Sequence, residues 1–247
     1  MARAAAENLT PCSFELGGKS PTIIFDDADL DLAVDLAIEQ YDNAGQVCLA
    51  GTRLLVQNSI APMFIERFKA RVETIKQGDP RILETDMGPQ IHQEHFDRIK
   101  GFVDRARSAG SEIAFGGRQN EILGGLYFRP TLIVEPEAES EIVTAEVFGP
   151  VLTLQTFNSD EDAIAMANST EFGLAGVVVC GHRGRAEHIA ERLVAGTVWI
   201  NCFFVRDLQA PFGGAKKSGI GREGGTWSFD FYSDVKNTVF APTGWKE

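Results

Sequence analysis

Two side chains in the sequence combine a reactive chemical group with neighbours that leave space for a substrate. Cys48 lies in residues 43–51 (NAGQVCLAG), where small residues predominate. Small neighbours allow a substrate carbon and an anion-stabilising backbone N–H to approach a thiol closely. Because a lone cysteine is most often buried and unreactive, an inert core thiol is the alternative interpretation of Cys48.

Glu15 is the second candidate, at the end of an apolar strand pattern and next to Gly17 and Gly18. A carboxylate in such a place is costly to bury without a partner or a function. Burial would raise its pKa toward neutrality, which suits a general base. Pairing of Glu15 with Lys19 is an alternative with almost equal support, and it would make the carboxylate structural.

The cysteines and two of the histidines indicate no metal site. The four cysteines are spaced 36, 132 and 22 residues apart: Cys12, Cys48, Cys180 and Cys202. A zinc site needs close pairs, and this spacing has none. His92 and His95 have no third ligand nearby, so we interpret them as the solvated start of a helix.

A cysteine hydrolase or acyl-transferase is an alternative function for Cys48. Either enzyme needs a histidine that acts as base for the thiol. His182 and His188 lie in or beside a predicted surface helix and lack small neighbours. The sequence therefore gives this alternative little support.

The composition excludes several classes of protein. The 247 residues are 44% hydrophobic and 23% charged, as in folded globular proteins rather than disordered chains. A net charge of −12 disfavours binding to nucleic acid. No apolar run reaches the ~18 residues that a membrane-spanning helix needs. Scattered cysteines and the lack of a secretory signal pattern predict a cytoplasmic protein.

The charges are also unevenly distributed along the chain. Between Glu121 and Cys180 there are ten acidic residues and a single basic one, Arg129. We interpret this stretch as a solvated acidic face.

Strand and helix patterns alternate along the chain. Apolar runs predict strands at residues 12–16, 22–25, 53–57, 113–117, 131–134, 151–157, 175–180 and 196–201. Helical spacing predicts helices through residues 32–37, 60–75, 94–109, 159–168 and 186–193. This alternation predicts an α/β domain with a largely parallel sheet flanked by helices.

The two ends of the sequence have their own patterns. Residues 1–9 are typical of the last turns of an Ala-rich helix, which indicates either that sequence is missing upstream or that a helix starts the chain. Residues 228–240 join an aromatic cluster to a strand pattern at 236–240. We expect that strand to pair with another chain or domain.

Six short motifs resemble, in order, those of the aldehyde dehydrogenase superfamily. Residues 14–21 (FELGGKSP) are similar to its catalytic-glutamate motif, and residues 45–48 (GQVC) to its catalytic-cysteine motif. The other resemblances fall at residues 146–150 (EVFGP), 168–174 (NSTEFGL), 196–201 (GTVWIN) and 211–223, which contain PFGG and SGIGRE. The resemblance covers essentially the whole chain.

The resemblance implies the C-terminal half of such an enzyme. Residues 1–18 would be the end of a Rossmann-like coenzyme domain, and residues 19–217 the catalytic domain. Residues 218–247 would return for oligomerisation in a homo-oligomer, either a dimer or a tetramer. The alternative is a folded catalytic half without independent activity.

By resemblance, the enzyme oxidises a small-molecule aldehyde to an acid with NAD, or with NADP. Cys48 would add to the aldehyde to form a thiohemiacetal, and Glu15 would activate the water that hydrolyses the later thioester. The resemblance also implies a set of coenzyme-contacting residues: Leu16, Gly17, Glu146 and Phe148.

Residues 201–212 resemble the segment that lines the substrate mouth in this family, and they include Arg206 and Phe212. An arginine there could bind a carboxylate bidentately, whereas a salt bridge with Asp207 or with an acidic surface is the alternative. Together with residues 221–232, the segment is similar to the semialdehyde dehydrogenases of aromatic ring-cleavage pathways. This likeness implies a substrate that carries carboxylates.

Overall fold

A seven-stranded sheet forms the centre of the protein in the structure, a computed structural model that describes residues 1–244 and 246. Along the sheet the strands lie in the order β4-β5-β6-β3-β2-β8-β9. Their bounds are β2 Pro21–Ile24, β3 Arg53–Gln57, β4 Glu112–Phe115, β5 Thr131–Val134, β6 Val151–Phe157, β8 Ala175–Val179 and β9 Thr197–Ile200. Every neighbouring pair is parallel except β4 with β5, which confirms the predicted largely parallel sheet.

Helices pack on both faces of this sheet, although the first and the last of the helices within residues 1–244 bury no residue. Their bounds are α1 Ala2–Ala6, α2 Leu30–Glu39, α3 Ala61–Val72, α4 Gln93–Ser108, α5 Glu141–Thr144, α6 Asp160–Asn168, α7 Arg183–Arg192 and α8 Gly225–Tyr232. Successive strand residues point to opposite faces. Ile24 and Leu54 therefore pack with α2 and α3, whereas Ile23 and Leu55 pack with α6 and α7.

The helix starts follow the capping signals in the sequence. Asp29 accepts hydrogen bonds from the N–H groups of Asp31 and Leu32 and caps α2. Ser159 and Asp162 form a reciprocal capping box at α6. The Nδ1 atom of His92 accepts from the N–H of His95 at 3.1 Å and caps α4, which confirms the predicted helix start; His92 is solvated as expected, whereas His95 is half-buried.

Two small antiparallel pairs lie outside the central sheet. β1 (Phe14–Glu15) pairs with β11 (Gly219–Ile220), and β7 (Phe172–Gly173) pairs with β10 (Ala215–Lys216). The predicted strand at residues 12–16 is therefore only two residues long. These pairs tie the Glu15 segment to the chain that follows residue 211.

Residues 234–241 take no regular secondary structure in the single chain, and the expected pairing of residues 236–240 with another chain or domain stays a prediction. The segment is exposed in the single chain. The aromatic cluster before it lies on α8, where Phe229 and Tyr232 are exposed. No helix within residues 1–244 is both long and apolar enough to cross a membrane.

Candidate active site

Cys48 follows a tight turn whose backbone conformation is unusual. Three consecutive residues, Asn43, Ala44 and Gly45, have positive φ angles of 49°, 56° and 72°. Three hydrogen bonds between Asn43 and Gln46 hold the turn: the side chain of each donates to the carbonyl of the other, and the N–H of Gln46 also donates to the Asn43 carbonyl. A Cβ atom at Gly45 would overlap the carbonyl of Gly149, so only glycine fits there. The turn therefore fixes the backbone that presents Cys48.

The Cys48 thiol is half-buried and lies near two carboxylates. Burial raises its pKa, and the negative charges of Glu146 and Glu15 raise it further. The backbone N–H groups of Cys48 and Leu49 act in the opposite direction. Within residues 1–244 neither of these N–H groups donates to a protein oxygen. The thiol is thus protonated at neutral pH, and a free N–H donor lies beside it.

Gly17 and Gly18 form the contact between the cysteine and Glu146. The N–H of Gly18 donates to Glu146 Oε1 at 2.8 Å. A Cβ atom at Gly17 would overlap Glu146 Oε2, and one at Gly18 would overlap the carbonyl oxygen of Cys48. Two adjacent glycines therefore let a carboxylate and the cysteine backbone approach the same short segment.

Glu15 lies on the strand β1, and its carboxylate approaches Gly213. The residue is exposed rather than buried as the sequence predicted, because β1 lies at the surface. Partial desolvation still raises its pKa, and the charge of Glu223 adds to this effect, while Arg222 and the backbone of Gly214 oppose it. The raised pKa agrees with the prediction, although the burial is only partial.

The alternative pairing of Glu15 with Lys19 is wrong. Lys19 is 2% exposed, and its Nζ atom makes no hydrogen bond with the described residues. Burial lowers the pKa of Lys19 to about 7, the nearby charge of Arg53 lowers it as well, and Glu146 acts against this change. The carboxylate whose charge acts on Lys19 is therefore Glu146 and not Glu15.

Helix α4 holds the segment that carries Glu146 and Phe148. Arg98 donates to the carbonyls of Glu146 and Val147, each at 2.6 Å. The ring of His95 contacts the carbonyl of Phe148 at 2.6 Å, and Phe148 has a positive φ of 59°. Burial raises the pKa of Glu146, while the Gly18 N–H, Arg98 and Lys19 lower it.

Arg206 and Phe212 form part of a cavity of about 200 Å³. The guanidinium of Arg206 lies over the ring of Phe212 at 4.8 Å and over that of Phe204 at 5.6 Å. The alternative salt bridge with Asp207 is not formed. Two backbone hydrogen bonds join Phe212 to Glu223, whose charge also acts on Glu15, so the cavity adjoins the Glu15 carboxylate.

No histidine is placed to act on the thiol. Among residues 1–244, none of the four histidines hydrogen-bonds to Cys48: His92, His95, His182 and His188. His182 caps α7 instead, and His188 is exposed on that helix. No group of three or more metal-ligating side chains occurs in the described chain.

The sequence profile of the aldehyde dehydrogenase family matches residues 1–238. The chain belongs to the aldehyde dehydrogenase family. It is 42% identical over 240 residues to an aldehyde dehydrogenase of Emericella nidulans, covering 96% of this chain and 48% of that protein. A 2-hydroxymuconic semialdehyde dehydrogenase of Pseudomonas is 39% identical over 95% of this chain and 49% of its own length.

A solved aldehyde dehydrogenase has the same fold. The betaine aldehyde dehydrogenase of Staphylococcus aureus, in complex with NAD⁺, is 46% identical and superposes with a TM-score of 0.91. The alignment covers 94% of this chain and 47% of that one. This chain thus spans about half the length of the aldehyde dehydrogenases that it matches.

Sequence reasoning missed several residues that position this aldehyde dehydrogenase site. Arg53 is 1% exposed and donates to the carbonyls of Lys19, Met166 and Ala167. A charged residue at the start of the apolar run 53–57 was the available signal for it. Arg98 gave no such signal, because its role depends on how α4 packs against the distant Glu146 segment.

Proposed function

We propose that this chain carries the catalytic centre of an NAD-dependent aldehyde dehydrogenase, with Cys48 as nucleophile and Glu15 as general base. The observation that carries the proposal is the convergence of Cys48 and Glu146 on Gly17 and Gly18, two residues after Glu15. Residues 1–18 then complete a coenzyme domain, residues 19–217 form the catalytic domain, and residues 218–247 serve oligomerisation.

In the first step, the sulfur of Cys48 adds to the aldehyde carbon and forms a thiohemiacetal. The thiol proton must leave, because the raised pKa keeps Cys48 protonated at neutral pH. Solvent water accepts this proton, which leaves Glu15 for the later hydrolysis step. The developing oxyanion meets the N–H of Cys48, which has no other acceptor among residues 1–244.

The residues around Gly17 fit a coenzyme that carries ribose hydroxyls. The Glu146 carboxylate is half-buried, and only one of its oxygens accepts the Gly18 N–H. Glu146 is proposed to accept from the ribose hydroxyls, with Phe148, Leu16 and Gly17 in contact with the coenzyme. When bound, NAD⁺ accepts the hydride that leaves the thiohemiacetal carbon.

In the last step, water hydrolyses the Cys48 thioester and releases the acid. The water needs a base, and the raised pKa of Glu15 brings that carboxylate closer to neutrality. Glu15 is exposed, so water reaches it without a rearrangement of the core.

The cysteine role is tested in the enzyme that contains this chain, by NADH formation with an aldehyde. Cys48→Ala is expected to abolish turnover, because no other described thiol lies at the two glycines. Matched controls are Cys12→Ala, Cys180→Ala and Cys202→Ala, which are expected to keep it. Turnover retained in Cys48→Ala contradicts the mechanism.

Coenzyme binding is tested separately, by titrating the 247-residue chain with NAD⁺. The alternative of a folded catalytic half without independent activity predicts no binding. Binding at ordinary coenzyme affinity that is lost in Glu146→Ala supports the proposed contact. Binding unchanged by Glu146→Ala removes Glu146 from the coenzyme site.

For the substrate class, we propose a semialdehyde that carries a carboxylate. The likeness to 5-carboxymethyl-2-hydroxymuconate semialdehyde dehydrogenase in residues 201–232 supports this class, as does the similarity to the Pseudomonas semialdehyde enzyme. Within the described chain, the guanidinium of Arg206 has no acidic partner, so it is free to bind a substrate carboxylate.

Betaine aldehyde is the competing substrate, because several similar relatives are betaine aldehyde dehydrogenases. A quaternary ammonium group binds to the faces of aromatic rings. Here Arg206 already covers the faces of Phe204 and Phe212, and its charge repels a cation. The cavity therefore favours an anionic substrate.

Arg206→Leu distinguishes the two substrates. It is expected to lower kcat/KM for carboxylated semialdehydes by roughly tenfold to a hundredfold, the worth of a charge-assisted pair, and to spare simple aliphatic aldehydes. Arg206→Lys is expected to recover only part of the loss, because an ammonium lacks the planar fork. Equal losses for charged and uncharged aldehydes at unchanged melting temperature contradict the role of Arg206.

We propose that the protein is cytoplasmic and a homo-oligomer, a dimer or a tetramer, and the surface near the C-terminus supports the oligomer. Trp227, Phe229 and Tyr232 are exposed on α8, and Val235 and Val239 are exposed after it. Exposed apolar patches of this kind are typical of interfaces. Sedimentation velocity is expected to show an oligomer that dissociates when residues 234–247 are removed. A monomer before truncation contradicts this expectation.

A further inference from the structure

A second cleft lies away from Cys48, between α3 and the connection from β4 to β5. Its volume is about 650 Å³, within the range of small-molecule sites. Apolar side chains form much of its wall: Val72, Ile75, Phe115, Ile122 and Leu123. Ile122 and Leu123 are exposed large apolar residues, so an apolar ligand would cover surface that now faces water.

Hydrogen bonds fix the walls of this cleft. Gln77 donates to the carbonyl of Phe128 at 2.8 Å, and Asn120 donates to Gln77 Oε1 at 2.9 Å. The N–H of Arg129 donates to the carbonyl of Arg118 at 2.9 Å, which joins the two sides of the connection. These hydrogen bonds hold the residues that form the cleft in fixed positions.

The charge of the cleft is opposite to that of the protein. Lys69, Arg118 and Arg129 line it together with one acidic residue, Glu73, although the chain as a whole carries −12. Arg118 has a distant partner in Glu121 at 3.8 Å, and both side chains are exposed. Arg129 is the single basic residue between Glu121 and Cys180. The net positive charge of the cleft therefore attracts an anion.

Arg129 supplies the observation that points to a ligand. Its Nε atom is buried and has no hydrogen-bond partner, and its guanidinium makes no ion pair with any residue that the structure describes. A buried donor without an acceptor is costly, so such groups are normally satisfied. The terminal nitrogens of the same guanidinium make no hydrogen bond with the described residues either and are not buried, so they are the donors that an acceptor entering the cleft would meet.

We infer that this cleft binds a small carboxylate with an apolar body, with Arg129 paired to the carboxylate. A guanidinium presents parallel N–H donors in a plane, which match the two oxygens of a carboxylate. The apolar wall then takes the body of the ligand. Nothing in the proposed aldehyde chemistry uses this cleft.

The test uses 3-phenylpropionate as the probe and isothermal titration calorimetry of the 247-residue chain as the measurement. The acid is expected to bind saturably at millimolar concentration or below, and 3-phenylpropionamide about tenfold or more weakly, because the amide lacks the charge. Inorganic phosphate, an anion without an apolar body, is expected to bind more weakly than the acid. An amide or phosphate that binds as well as the acid overturns the inference.

Variants locate the binding. Arg129→Gln is expected to weaken 3-phenylpropionate binding by about tenfold to a hundredfold, and Arg129→Lys by less. Arg81→Gln, an exposed control outside the cleft, is expected to leave it unchanged. Arg206→Leu is the control for the other proposed carboxylate site, and it is also expected to leave binding in this cleft unchanged. Unweakened binding in Arg129→Gln overturns the inference, as does loss of binding in Arg206→Leu.

The melting temperatures of the same variants show whether weaker binding comes from unfolding rather than from the loss of a contact. Because the Arg129 side chain makes no hydrogen bond in the described chain, Arg129→Gln is expected to keep the wild-type melting temperature. A large fall in melting temperature for both Arg129→Gln and Arg129→Lys assigns Arg129 a structural role and overturns the inference.

Discussion

Substitution of Gly18 by alanine tests the contact that joins Cys48 to the two glycines. The added Cβ would overlap the carbonyl oxygen of Cys48 while staying at ordinary distances of 3.4 Å and 3.5 Å from Leu174 Cβ and the Cys48 carbonyl carbon. The steric overlap is therefore with one backbone atom, the carbonyl oxygen of Cys48. Because non-bonded heavy atoms rest about 3.5 Å apart, the Cys48 backbone must shift on the order of 1 Å.

Two effects of Gly18→Ala follow from that shift. Overpacking of this kind destabilises a fold by about 1–3 kcal/mol, measured as the free energy of unfolding in urea. A displacement of ~1 Å at a reacting group slows the chemistry by about a hundredfold. The assay is the burst of p-nitrophenolate when p-nitrophenyl acetate acylates Cys48, which needs no coenzyme.

The matched control is Gly184→Ala, in the exposed first turn of α7. The atom nearest to the added Cβ would be Cε1 of His182, at 3.3 Å, so the new methyl group contacts only a side chain. This variant is expected to keep the burst rate and to gain up to about 1 kcal/mol of stability. Wild-type stability and burst rate in Gly18→Ala would refute the proposed close contact.

Three further predictions address the charges of the site. Glu15→Gln is expected to keep the acylation burst but to slow deacylation, because the water loses its base; a normal steady-state rate without a burst removes Glu15 from that role. The pKa of Cys48, read from the pH dependence of its alkylation by iodoacetamide, is expected to lie above that of a free cysteine and to fall in Glu146→Gln, since a negative neighbour is removed. An unchanged pKa would place Glu146 too far away to act. Lys19 binds its proton with a pKa of about 7 in the folded chain but about 10.5 when unfolded, so its contribution to the free energy of unfolding rises with pH between these values. Lys19→Met is expected to reduce that rise, and an equal rise in both proteins contradicts the buried position of Lys19.

The sheet could be predicted from the sequence because its strands are buried on both faces. Residues 53–57, 131–134 and 151–157 are mostly apolar or β-branched, and the structure has strands with the same bounds. The expected pairing of residues 236–240 with another chain or domain stays a prediction, because an extended segment has the same sequence pattern whether or not a partner is present. A strand pattern specifies a side-chain alternation and leaves the neighbour unspecified.

Within the site, the sequence identified the reactive residues but did not predict how buried each one is or which residues contact it. Cys48 was identified from its small neighbours, and the structure brings it to Gly18. Glu15 was expected to be buried, but the two-residue strand that carries it lies at the surface. The roles of Arg98 and Arg53 depend on contacts across 48 and 34 residues or more, which local patterns do not encode.

The central claim is that Cys48 forms a covalent thioester whose release depends on Glu15. Intact-mass and peptide mass spectrometry after mixing Glu15→Gln with p-nitrophenyl acetate tests it most directly, because the acyl group is then trapped. The account predicts one acetyl group per chain, located on Cys48, and none on Cys12, Cys180 or Cys202. Acetylation at another cysteine with Cys48 unmodified, or the same acetyl level in Cys48→Ala, would contradict it.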